Sequence, residues 1–253
     1  MYTDNAAALN RAWWDAIRRQ RDAGLIAKNH DVAAQILAGT SGPCPEQVAF
    51  LGDLAGKRLL DLGCGDGCEL VALARLGAEV TGVDNSPVQL AAAQRTADAL
   101  GVRVRLVQAD FLRLPEGLLR GQFDLVFSSH ATGWIGDLDR WFGSVRQALV
   151  PGGVFVLRGG HSLAGFLTRG KKSVERASYF EQGPFVQRAE RSPDWNPLGE
   201  EHTFVEWSHT LGAIVTAVAQ AGLRVTHLAE IGEEPSAAYP DAFVLRATNT
   251  QAA

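Results

Sequence analysis

The chain has 253 residues, 46% hydrophobic and 21% charged, with a formal net charge of −4. A domain of this length buries roughly 70–75% of its unfolded surface, so it needs no disulfide or structural metal to hold it together. Mild acidity excludes a protein whose main business is gripping phosphate backbones, and the three cysteines (Cys44, Cys64, Cys68) fit neither a disulfide framework nor the paired spacing of a zinc site.

Residues 1–38 read as helix: Leu9, Trp13 and Ile17 recur every four residues, and a second stripe runs through Val32, Ile36 and Leu37. Gly39–Pro45 (GTSGPCP) breaks the pattern and predicts a linker. It sets off residues 1–44, an expected helical lid, from a domain over 45–253. From Lys57 strands and helices alternate. Strands are predicted at Arg58–Leu62, Glu79–Val83, Val102–Val107, Phe123–Ser128 and Val154–Leu157. Helices are predicted between them at Glu69–Leu76, Pro87–Leu100 and Leu138–Leu149, the last stopping at Pro151–Gly153. Such alternation means parallel strands joined by crossover helices, a doubly wound α/β sheet.

Residues 159–203 interrupt the rhythm with glycine, charge and aromatic residues, and a cap insertion is expected over about 159–207. A stretch this long inside a compact domain is functional or has structure of its own. Helix Leu211–Ala221, closed by Gly222, resumes the pattern, and strands Arg224–Glu230 and Ala242–Ala247 flank a Pro235–Pro240 loop.

The first strand runs into Asp61-Leu62-Gly63-Cys64-Gly65-Asp66-Gly67. Glycines there let the backbone turn sharply and approach a ligand closely, and the following helix offers free N–H groups. Open parallel sheets bind ligands at the carboxyl ends of their strands, where this loop lies. The second strand ends at Asp84, about 20 residues beyond the first glycine, suited to ribose hydroxyls. The third is followed by Asp110-Phe111, where a carboxylate can accept from an adenine amine and a ring can lie against the base. Three strand ends thus line up with an amino-acid or phosphate end, a sugar and a purine. NAD is the rival adenosine ligand, but its third glycine comes one place later than Gly67. Asp61 also suits an ammonium better than a pyrophosphate.

The ordered segments LLDLGCGDG, VTGVDNS, QADF, FDLVFSS and LVPGGVFVL resemble the class I S-adenosylmethionine (SAM)-dependent methyltransferase family over roughly residues 45–158. EWSHTLGAIVTAVAQAGLRVTHLAE is similar to the later helix–strand segment of its small-molecule members. The resemblance implies a seven-stranded sheet with its last strand antiparallel. It also implies a cofactor site of Asp61, Gly63, Cys64, Gly65 and Gly67 around the methionine part, Asp84 with Asn85 and Gln89 near the ribose, Asp110 and Phe111 at the adenine, and Ser128 beneath the sulfonium.

His130, immediately after the fourth strand, is the candidate base, since an unperturbed histidine with a pKa of about 6.5 takes a proton at neutral pH. Its alternative role is to order the loop by hydrogen bonding. Trp14, Trp134, Tyr179 and Trp207 are the candidate acceptor-binding aromatics, against the alternative of a small satellite core. Trp13 and Trp14 must diverge by about 100° on one helix, so one faces away from the apolar stripe. No His/Asp/Glu spacing indicates a metal.

Asn/Asp-Pro-Pro-Tyr is missing after the fourth strand, there is no double-glutamate loop, and no basic face for RNA is seen. A small organic acceptor, methylated on O or N, is what remains, natural products included. Other readings are a SAM enzyme that spends the sulfonium on cyclisation or decarboxylation, and a non-catalytic SAM-binding module. The polar N-terminus and the lack of any run near about 18 apolar residues predict a soluble, cytoplasmic protein without membrane or nucleic-acid partners. Lys171–Lys172 with Arg169 and Arg176 read as a solvated loop. Arginine and alanine richness suggests a GC-rich bacterial genome, and the sequence leaves the oligomeric state open between monomer and homodimer.

Overall fold

Residues 5–167, 178–232 and 237–250 are described by a computed structural model of the chain. The strands β1 (Arg58–Leu62), β2 (Glu79–Asp84), β3 (Arg105–Gln108), β4 (Phe123–Ser129), β5 (Leu149–Gly160), β8 (Leu223–Ile231) and β9 (Ala242–Asn249) form one seven-stranded sheet in the order β3-β2-β1-β4-β5-β9-β8. The first five are mutually parallel, and β9 runs antiparallel to both β5 and β8. The expected doubly wound sheet with an antiparallel last strand is therefore present.

Strand residues alternate between two cores. Leu60, Leu62, Val126 and Phe155 face α6 (Leu138–Ala148) and α8 (Leu211–Gln220), while Leu59, Phe127 and Val156 face α3 (Pro45–Leu51) and α4 (Cys68–Arg75). Both faces are covered, which is why β1 and β4 read as continuous apolar runs. Helix α5 (Pro87–Ala99) follows β2; its Ser86 N-cap accepts from the Gln89 N–H at 3.0 Å.

Several sequence boundaries are corrected. The helix expected over 1–38 is two helices, α1 (Ala6–Asp22) and α2 (Val32–Leu37). Gly24 and Asn29 take left-handed φ of 74° and 57° between them, and Asp31 caps α2 through the Ala34 N–H. The expected linker ends where α3 begins, with Pro45 in its first turn and Gln47 closing a capping box on Cys44. Pro151–Gly153 does not terminate a strand-free turn. β5 starts at Leu149 and absorbs the extra residues as an irregularity in its pairing with β4 between Phe123 and Leu125.

The insertion has structure of its own: α7 (Ser162–Leu167) and a hairpin of β6 (Phe185–Arg188) with β7 (Thr203–Glu206). The basic cluster at Arg169, Lys171, Lys172 and Arg176 lies outside the described residues. Among the described residues no helix is long and apolar enough to cross a membrane.

Candidate cofactor and acceptor site

β1 leaves the sheet through Gly63, Gly65 and Gly67, all with left-handed φ (85°, 52° and 81°). The Gly63 and Cys64 N–H groups both donate to the Val83 carbonyl, at 2.8 and 3.0 Å, which stitches the loop to the end of β2. The N–H groups of Cys68, Glu69 and Leu70, which open α4, have no carbonyl within the helix to donate to, while that of Val71 donates to the Gly67 carbonyl at 2.9 Å. Cys64 turns its side chain into the core, so it can serve a ligand only through its backbone. At Gly67 a Cβ would stand 2.9 Å from the Cβ and 3.0 Å from the Cα of Ala93 on α5. Gly67→Ala is expected to lose about 1–2 kcal/mol from the left-handed backbone alone, with the overlap adding to it. Urea denaturation measures this.

Four carboxylates gather under and around the loop. Asp61 is 2% exposed, and burial, Glu69 and Asp84 all push its pKa well up, with no hydrogen bond offsetting them. Glu69, in the first turn of α4, is raised to about 7 by burial, against opposing contributions from Ser129, Arg158 and Gln47. Asp84 is raised to about 6, again mainly by burial, although it accepts from the N–H groups of Gly65 (2.9 Å) and Ser86 (2.8 Å). Asp61 and Asp84 at strand ends and Glu69 in the first turn of α4, with Asp61 lacking a donor among the described residues, form a seat for a cation. An α-ammonium and a sulfonium fit that seat; a pyrophosphate does not.

The fourth, Asp66, has found its cations. Arg18 and Arg21 of α1 reach its Oδ2 at 3.1 and 3.4 Å, and Asn29 donates to the same oxygen at 3.1 Å. All three charged side chains are 5% exposed or less. Asn85 donates to the Ala7 carbonyl, Gln89 to that of Trp14, and Ser86 bonds Asp15. The residues flanking the expected ribose position thus hold α1 down. On its other side Asn10 pairs with both backbone groups of Val205 in β7 (2.8 and 2.9 Å), and Trp13 stacks on Phe204. α1 and the insertion together roof the strand ends.

At the expected adenine position, a Cβ on Gly63 would lie 3.8 Å from the Phe111 ring, and Asp110 accepts from the Leu112 N–H. Ser128 is fully buried and donates to the Leu62 carbonyl at 2.7 Å, so it positions the loop. Trp14, half-buried, meets Trp134 edge-on at 5.4 Å and Trp195 at 6.5 Å, while Trp13 takes the apolar stripe. Trp207 packs on Gly136 and bonds the Gly133 carbonyl beside them. Tyr179 stacks edge-on with Phe180, which is 75% exposed, and shares no ring contact with this group.

His130 follows β4 in a left-handed turn (φ 57°), with its N–H on the Arg158 carbonyl of β5. Its Nε2 contacts the Arg158 guanidinium. One side of the ring faces solvent, yet burial against its walls, then Arg158 and Lys28, lowers its pKa to about 4. Sequence pattern passes over Asp66, Arg18, Arg21, Glu69 and Arg158. The available signals were a charge set between two loop glycines and two arginines three residues apart beside the stripe residue Ile17.

A glycine loop among acids, at the switch point of a 3-2-1-4-5 sheet with an antiparallel last strand, is the arrangement that the resemblance to class I SAM-dependent methyltransferases implies. Residues 59–153 match the family described as a methyltransferase domain. The chain is 39% identical over 105 residues to a demethylmenaquinone methyltransferase of Thermus thermophilus (41% of this chain, 47% of that one). It is 34% identical to a ubiquinone biosynthesis O-methyltransferase of Azorhizobium caulinodans (59% and 58%), and 38% identical to a ribosomal RNA small subunit methyltransferase C of Chromohalobacter salexigens (62% and 48%). The chain thus spans about half the length of these curated relatives. A SAM-dependent methyltransferase structure from Mesorhizobium loti superposes with a TM-score of 0.63 at 28% identity, covering 81% of this chain and 96% of that one. These comparisons support a class I SAM-dependent methyltransferase, for which the implied cofactor is SAM.

Proposed function

We propose that this protein transfers the methyl group of SAM to an O or N atom of a small organic acceptor, a natural product being one such class. SAM supplies a methyl carbon on a positive sulfur, ready to leave as a neutral thioether. In this reading Asp61 and Glu69 hold the ammonium, the loop at Gly63, Cys64, Gly65 and Gly67 lies along the methionine part, Asp84 with Asn85 and Gln89 takes the ribose, and Asp110 with Phe111 takes the adenine. The protein's main contribution is alignment, which supplies roughly 7–11 kcal/mol when two reactants are held in line.

The observation that carries the small-molecule reading is the roof. The α1 helix and the insertion cover the strand ends and line them with Trp14, Trp134 and Trp195, which suits a flat acceptor better than a nucleic-acid strand. A formal charge of −4 supports the same choice. Incubation with SAM and panels of phenols, amines and ribosomal RNA, read by S-adenosylhomocysteine formation and product mass, tests it. A small product heavier by one methyl supports the proposal; methylated RNA alone overturns it.

We further propose that residues 1–44 act as a lid that excludes water from the reacting centre. Deleting residues 1–38 removes every α1 bond to Asp66, Asn85, Ser86 and Gln89, and is expected to weaken SAM binding by at least about tenfold, one lost bond to a charged group being worth about 1.5–3 kcal/mol. Calorimetric titration measures it, and unchanged affinity and turnover would defeat the lid.

A further inference from the structure

We propose that Arg158, and not a basic His130, serves the methyl acceptor, and that the acceptor is an acidic hydroxyl methylated as its oxygen anion. The inference rests on the methyl-transfer reading above and narrows its substrate class.

The sheet brings the two residues together. β4 and β5 pair so that Ser129 lies opposite Arg158, and the left-handed turn at His130 returns its N–H to the Arg158 carbonyl at 3.0 Å. Side by side, the guanidinium meets Nε2 of the imidazole. A guanidinium has donors and no acceptor, so Nε2 must accept and the ring proton resides on Nδ1. The lone pair that a general base would offer is already engaged. A histidine held neutral down to about pH 4 is also a weak base, because efficient general bases have a pKa near the working pH.

The charges around this corner suit an anion. Arg158 on β5 and Lys28, between α1 and α2, both act on His130, and Lys28 also lies 5.8 Å over the Trp195 ring of the roof. The Arg158 charge also acts on Glu69 of α4 and on Cys44 at the start of α3, and Gln47 donates to Ser129, the residue opposite Arg158. Glu69, read above as an ammonium ligand, is hydrogen-bonded to Ser129 and Gln47. A cation beside an acid lowers its pKa by about 1–3 units, which brings a phenol from about 10 to about 7–9 and leaves a more acidic phenol or enol ionised near neutral pH. The hydroxyl proton goes to solvent, the oxygen's electron pair forms the new O–C bond, and the pair of the broken C–S bond stays on sulfur.

Ring-nitrogen NMR of His130 in the ligand-free protein tests the geometry without any turnover. The expected result is an Nδ1-protonated neutral ring that does not titrate above about pH 5, and a pKa that moves toward 6.5 in R158M. A His130 that titrates near 6.5 in the native protein overturns the proposal. Binding of 4-nitrophenol as a coloured probe tests the substrate class: its pKa should fall by about one unit or more on the native protein and not on R158M. A fall that survives R158M but is lost in H130Q overturns it, as does no fall at all. With an acceptor in hand, R158M should lower kcat by about 100-fold, R158K by less, and H130Q by less than R158M. If the NMR and probe results hold while no acceptor of any class is methylated, the methyl-transfer reading fails and the anion site stands.

Discussion

Replacing Asp66 by alanine is expected to lower the stability of the unliganded protein by about 3–5 kcal/mol, the range seen when one partner of a buried charge cluster is removed. Arg18 and Arg21 are 1% and 4% exposed, and both point at the one Asp66 carboxylate. Burial already lowers the Arg21 pKa, and the attraction of Asp66 is the largest opposing contribution. Without that carboxylate Arg18 keeps only Asp22, at 2.9 Å, and Arg21 must either stay buried beside it or pull α1 off the glycine loop to reach water. In a chain of this size the change corresponds to a melting temperature lower by roughly 6–20 °C. Asp66→Asn keeps an acceptor oxygen and should fall between the two. The triple change R18M/D66L/R21M should recover much of the loss, because it removes the charges together. Differential scanning calorimetry and urea titration measure all three, and an Asp66→Ala protein within about 0.5 kcal/mol of the native one, the scatter of an ordinary surface change, would sink the latch.

That latch marks where sequence reading stops. β1, β2 and β4 are legible because a parallel strand covered on both faces must be apolar throughout, and the loops after them are legible because glycine and aspartate at strand ends have few other uses. Asp61, Asp84 and the three glycines were therefore visible in the sequence as a group. Arg18 and Arg21 lie 48 and 45 residues before Asp66, with no shared periodicity to connect them. On α1 they look like the solvated flank of an amphipathic helix, and only the fold of the glycine loop against it buries them. The pairing of His130 with Arg158 is hidden for the same reason: it depends on the register of β4 against β5. A histidine after a strand reads as a base until its neighbour across the sheet is known. The β6–β7 hairpin was missed because its strands have four residues each, too few for an alternation to show.

The acids beneath the loop tie cofactor binding to pH. Unliganded, Asp84 and Glu69 titrate at about 6 and about 7, raised chiefly by burial, so the folded protein binds protons there that the unfolded chain has already lost. Their contribution to the stability of the free protein therefore declines as pH rises from the ordinary carboxylate range through those values. SAM brings a sulfonium and an ammonium, and a cation binds the ionised acids. Its affinity is expected to move the opposite way, increasing with pH by up to about tenfold per unit for each of Asp61, Asp84 and Glu69 that must give up a proton. Titration calorimetry in buffers of different ionisation enthalpy should show protons released on binding near pH 6, and fewer near pH 8. Glu69→Gln removes one of these groups, so its affinity should climb less steeply between pH 6 and 7, and melting curves with and without SAM should diverge less over that range than those of the native protein. An affinity that is flat from pH 5 to 8, or that falls with rising pH, would mean that these carboxylates do not face the cationic end of the cofactor.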